Sequence, residues 1–140
     1  MLTTEPDAIG EGETINGEIV GRLDVRNADY MARRLGETSL PNFKRVMREA
    51  VEKSGYTLED VDFLGITHMK RSFFDQIVAE IGLTPAQAIY LDHYGHIQSV
   101  DQVLTLELGL QQGKIKDGDL VLLTGAGTGY TWSSIAVRWG

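Results

Sequence analysis

Between Val61 and Leu83 the spacing of apolar residues changes once, and the rest of the chain is arranged around that change. An unbroken apolar run, Phe63-Leu64-Gly65-Ile66, ends at Thr67-His68. Apolar residues then recur at helical spacing, with Phe73, Ile77 and Ile81 on one stripe and Phe74 and Val78 beside it. This predicts a buried strand, a one-residue hinge at His68 and an amphipathic helix. Upstream, Leu40, Phe43, Val46, Met47, Ala50 and Val51 form a second helical stripe, and Gly55 follows it as a stop. Downstream, Gln98 to Leu110 is apolar nearly all round, which predicts a helix covered on most sides.

Weaker patterns fill the gaps. Residues 1–13 are acidic and glycine-rich without periodicity, and read as a flexible lead-in or linker to a domain over 14–140. Asn16-Gly17 is a hairpin-type turn pair. Residues 28–38 suit a short helix weakened by Gly36. Thr57–Asp60 and Thr84–Gln87 resemble capped turns. Ala88–Leu91 suits a short strand, and Leu120–Thr124 a buried one. A glycine-rich loop, Gly125–Gly129, and a last strand, Tyr130 to Trp139, close the chain. Strands alternating with helices indicate an α/β layered fold with a mixed sheet and helices on both faces. The apolar Gln98–Leu110 helix calls for a second layer, more than so short a chain is expected to supply, so a missing half is expected.

Composition narrows the function. The 140 residues carry a net charge of −7, which argues against general nucleic-acid binding. No apolar run is long enough for a membrane span and no signal-peptide pattern opens the chain, so cytoplasm is the expectation. There is no cysteine, hence no thiolate metal site and no Cys nucleophile.

Three loops are expected at one end of the sheet: those at His68, at His93–His96, and at Gly125–Gly129. A neutral imidazole before a helix start can donate to an oxygen that becomes negative, and both His68 and His96 suit that role. Glycines let backbone N–H groups approach a ligand, although a glycine cluster is also an ordinary turn. His93 and His96, with Asp92 and His68, form a competing zinc set; a glycine-containing loop does not hold both rings on one face, so no metal is expected.

From about Tyr30 onward the chain resembles the carboxyl-terminal half of the thiolase-fold condensing enzymes, in particular beta-ketoacyl-[acyl-carrier-protein] synthase III. Asn42-Phe43-Lys44 is similar to the family's Phe-Lys pair, and Asp60-Val61-Asp62-Phe63 through His68 to the strand ending in its catalytic His. Tyr94-Gly95 resembles the Tyr-Gly before its catalytic Asn, and Gly125 to Trp132 its terminal glycine loop. Two positions depart: Met69-Lys70-Arg71 stands for Gln-Ala-Asn, and His96 for the Asn.

The resemblance implies a condensing acyltransferase that joins two acyl thioesters, with His68 and His96 as catalytic residues. It implies an oxyanion loop at Gly127, Thr128 and Gly129, and substrate or carrier contacts at Phe43, Lys44, Lys70 and Arg71. It implies a Cys-bearing amino-terminal half, acyl-CoA or acyl carrier protein as partners, and a dimeric assembly. No cofactor is implied beyond the thioester carrier. A non-catalytic subunit of the same fold is the alternative.

Overall fold

The computed structural model describes residues 27–127 and 130–140, together with four two-residue strands before them. The chain divides into two compact units, Met1–Ser39 and Leu40–Gly140. In the first, β1 (Leu2–Thr3), β2 (Thr14–Ile15), β3 (Glu18–Ile19) and β4 (Asp24–Val25) precede the start of α1 (Ala28–Lys53). β2 pairs antiparallel with β3, the pairing that Asn16-Gly17 predicts, and β1 with β4. The rest of the expected lead-in lies outside the described residues. The Asn27 side chain accepts the Tyr30 N–H at 2.9 Å and caps α1.

The two helical stretches expected on either side of Ser39 form one element, with Pro41 inside it. A proline removes one helical hydrogen bond, and an exposed glycine costs about 1 kcal/mol. Burial of Phe43, Val46, Met47 and Val51 offsets such losses at about 1.5–3 kcal/mol per side chain.

The second unit adds β5 (Phe63–Ile66), α2 (Arg71–Glu80), α3 (Asp101–Gln111), β6 (Leu120–Gly127) and β7 (Thr131–Arg138). The sheet order is β5-β6-β7, parallel in the first pair and antiparallel in the second. Alternation along the strands sorts the core into two faces. Leu64, Ile66, Leu120 and Leu122 pack with Met47 and Val51 of α1 and with Phe74, Ile77 and Val78 of α2. Phe63 and Val121 pack on the other side with Ile89, Leu91, Ile115 and the half-buried leucines of α3. Helices therefore cover both faces of a mixed sheet. Among the described residues no helix is long and apolar enough to cross a membrane.

Three local expectations change. Ala88–Leu91 is no strand; Ala88 makes one isolated parallel bridge to Leu64. Lys114 Nζ donates to the Ala86 and Ala88 carbonyls at 3.0 and 3.2 Å, so those groups are satisfied without a ladder. The hinge is four residues, Thr67 to Lys70, because α2 begins only at Arg71. The Gln98–Leu110 helix splits into a 3₁₀ turn, Gln98–Val100, and α3.

The buried stripe of α3 is also unexpected: it is Asp101, Thr105 and Gly109, not the leucines. Small residues set this. A Cβ on Gly65 would lie 2.8 Å from Thr105 Oγ1, and one on Gly109 would lie 2.8 Å from Phe63 Cζ. The helix sits so close to β5 that only its smallest side lies directly against the strand, and its leucines are half-buried to either side. Val100 and Val103 remain 50% and 61% exposed.

Gly65→Ala should therefore destabilise the chain by about 1–3 kcal/mol, the usual scale of overpacking. Gly36→Ala, in open space within α1, should stabilise it by about 0.5–1 kcal/mol. Urea unfolding of both variants checks this pair. Equal effects would show that α3 can move off the sheet freely.

Candidate active site

β5 and β6 run parallel, so their carboxyl ends meet at one edge of the sheet. There Thr67 N–H continues the ladder to the Thr124 carbonyl at 3.1 Å. Thr67 Oγ1 accepts from Gln102 Nε2 at 2.7 Å and from the Ala126 N–H at 3.3 Å. The same Gln102 nitrogen donates to the Thr124 carbonyl at 3.0 Å. One amide of α3 thus fastens both strand ends.

One residue earlier, Asp101 opens α3 and is fully buried. Its Oδ1 accepts the Ile97 N–H at 2.8 Å. Its Oδ2 accepts the His68 N–H at 2.7 Å and lies 2.6 Å from His96 Nδ1. A carboxylate in the first turn of a helix is favoured by the helix dipole and by charge-assisted bonds. The tight return from His96 to Asp101 passes through Gln98, whose φ of 61° is uncommon for a residue with a side chain. Such backbone is found where surrounding contacts hold it, often at functional sites.

The two histidines are therefore joined through one buried oxygen. The His68 ring lies 4.7 Å from the Tyr90 ring, and its Nδ1 is buried without a partner among the described residues. Tyr90 is held by its hydroxyl to the Met69 carbonyl at 2.8 Å. His96 is more open and faces a cavity of about 550 Å³ with Thr67, Gln102 and the Gly125–Gly127 end of β6. His68 does not line that cavity. Neither histidine directly precedes an α-helix, so the expected dipole effect falls on Asp101 instead.

Gly127 ends β6, while Thr128 and Gly129 lie outside the described residues. Phe43 is buried and meets Phe73 edge-on at 6.1 Å. Lys44 pairs with Glu80 at 2.6 Å. Arg71 stacks over Tyr90 at 4.7 Å and pairs with Asp75 at 3.0 Å and with Asp92 at 3.6 Å. Lys70 is exposed at the start of α2, and His93 is exposed in its loop. Sequence reasoning missed Asp101, Gln102 and Thr67. The available signal was two polar residues at the head of an otherwise apolar helix, five and six positions after His96.

The profile of the 3-oxoacyl-[acyl-carrier-protein] synthase III C-terminal family matches residues 51–139. The chain belongs to this family. Beta-ketoacyl-[acyl-carrier-protein] synthase III of Symbiobacterium thermophilum is 38% identical over 101 residues, 69% of this chain and 31% of that protein. The corresponding synthase III 1 of Halalkalibacterium halodurans is 34% identical over 145 residues, 100% of this chain and 44% of the relative. The chain thus spans less than half the length of these relatives. The synthase III structure from Thermus thermophilus superposes with a TM-score of 0.75 at 25% identity, covering 89% of this chain and 38% of that one. The fold is the α/β carboxyl-terminal half of the thiolase-like synthase III architecture.

Removing the carboxylate leaves two backbone donors and an imidazole without their acceptor. Asp101→Ala should cost at least about 1–3 kcal/mol, the penalty for a buried group left unsatisfied. Amide hydrogen exchange should accelerate at His68 and Ile97 more than at residues of β6. Unchanged exchange at both amides would show that Asp101 does not hold the loops.

Proposed function

We propose that this chain is the carboxyl-terminal part of a condensing acyltransferase of the synthase III type, which forms a C–C bond between two acyl thioesters. The Cys nucleophile comes from an amino-terminal half, in the same polypeptide or on another, because this chain has no cysteine. The observation that carries the reading is the convergence of His68 and His96 on Asp101 beside the glycine edge of β6.

Acyl-CoA or an acyl carrier protein would load the Cys. The second thioester would then meet His68, His96 and backbone N–H groups of the 127–129 loop, which favour a negatively charged oxygen. Lys44, Lys70 and Arg71 would contact the carrier or its phosphate, with Lys44 and Arg71 exchanging their present carboxylate partners for it. The exposed Val100, at the end of the 3₁₀ turn, and Val103 on α3 would form the surface that the Cys-bearing half covers.

Two experiments test this reading. On the assembly with the Cys-bearing half, His68→Ala and His96→Ala should each lower condensation by about 10²–10³-fold. Loading of the Cys, followed by intact mass, should largely survive in both. If both variants condense like wild type, the chain is a non-catalytic subunit of this fold. Separately, Val103→Glu should prevent assembly of the two halves while leaving this chain folded, as read by size-exclusion chromatography and circular dichroism. Normal assembly of that variant would place the contact elsewhere.

A further inference from the structure

Asp101 decides which nitrogen of His96 carries the proton. The peptide N–H groups of Ile97 and His68 can only donate, and they engage Oδ1 and Oδ2 respectively. Both oxygens are thus already acceptors, and the carboxylate has no exposed surface. For an ionised Asp101, which can only accept, the imidazole Nδ1 is then the donor at the 2.6 Å contact with Oδ2. In a neutral ring Nε2 is then left with a lone pair. It is the nitrogen not bound to Asp101, on a ring that is 43% exposed and lines the cavity.

This changes what His96 can do. An amide side chain at this place, as in the resembling enzymes, offers N–H donors to a thioester oxygen. A neutral His96 held by Asp101 offers an acceptor instead. Loss of CO₂ from a malonyl-type thioester needs donors for the enolate oxygen and no proton acceptor. Removal of an α-proton from a plain acyl thioester needs both. The site pairs an acceptor, His96, with a second histidine, His68, whose backbone N–H is held by the same carboxylate.

We propose that His96 is a general base, with Asp101 as its positioning residue, and that the second substrate is an acyl thioester bearing an α-hydrogen. The inference rests on the condensing reading above. His96 Nε2 takes the α-proton as the C–H bond breaks, and the electron pair moves to the thioester oxygen, held by the His68 ring. The enolate carbon attacks the acyl-Cys carbonyl, the C–C bond forms, and the C–S bond breaks. The Cys thiolate recovers the proton from His96. The products are a 3-oxoacyl thioester and free Cys; no CO₂ leaves and no oxidant is consumed. The arrangement follows the logic by which a buried aspartate fixes a histidine for proton transfer.

The first test needs this chain alone. Histidine-ring ¹⁵N NMR should show His96 protonated at Nδ1 and bare at Nε2, and Asp101→Asn should abolish that preference. A His96 protonated at Nε2 in the unmodified chain would overturn the proposal. The second test uses the assembly with the Cys-bearing half and an α-deuterated acyl-CoA. Cys loading is read by intact mass, and loss of deuterium to water by mass spectrometry. Loading with washout is expected, and His96→Asn should slow washout by about 10²–10⁴-fold while loading persists. Loading without washout, with CO₂ released from malonyl-CoA instead, would overturn the base role and leave the condensing reading standing. No loading at all would overturn the condensing reading and this proposal with it.

Discussion

A single buried carboxylate organises the functional end of this chain. Asp101 gathers the end of β5, the loop at residues 96–97 and the head of α3 through three N–H contacts of 2.6 to 2.8 Å. Burying a charge is costly unless hydrogen bonds replace its water. Here three donors do so, and two of them are peptide groups that have nowhere else to turn. The cost of leaving any of them unsatisfied makes the arrangement all-or-none. Gln102, the next residue, extends the same logic to Thr67 and the Thr124 carbonyl. The loops are therefore fixed by polar groups at the head of α3 rather than by the sheet.

The second constraint is steric. At Gly65 on β5 and Gly109 on α3 the contact between helix and sheet leaves no room for a side chain on either glycine. This close approach allows Asp101, at the first position of α3, to reach backbone at the end of β5. It also leaves the leucines of α3 only half-buried against the sheet, and Val100 and Val103 on the surface. One packing choice thus builds the site and creates the apolar face through which the proposed second half would dock.

Much of this was legible in the sequence. The run at Phe63–Ile66, the stripe at Phe74, Ile77 and Val78, and the buried Leu120–Leu122 are strong periodic signals, and each forms the element it predicts. The placing of His68 and His96 at the same edge followed from strand ends and family likeness. What stayed hidden depends on tertiary distance. Periodicity shows that α3 is apolar, but not that a glycine contact makes its Asp101-Thr105-Gly109 side the inner one. Ala88–Leu91 has strand composition, yet Lys114 satisfies the Ala88 carbonyl, 26 residues away in sequence. The partnership of Asp101 with His68 spans 33 residues, and no local pattern marks it.

The central claim is that His68 and His96 act together on one acyl thioester. The most direct measurement is a crystal structure of the assembled halves with a non-reactive acyl-CoA analogue. The account predicts the His68 ring within about 3 Å of the thioester oxygen and His96 Nε2 facing the α-carbon. Asp101 should still bridge the two histidines. A thioester bound away from both rings, or His96 turned from the cavity with its bond to Asp101 broken, would contradict it.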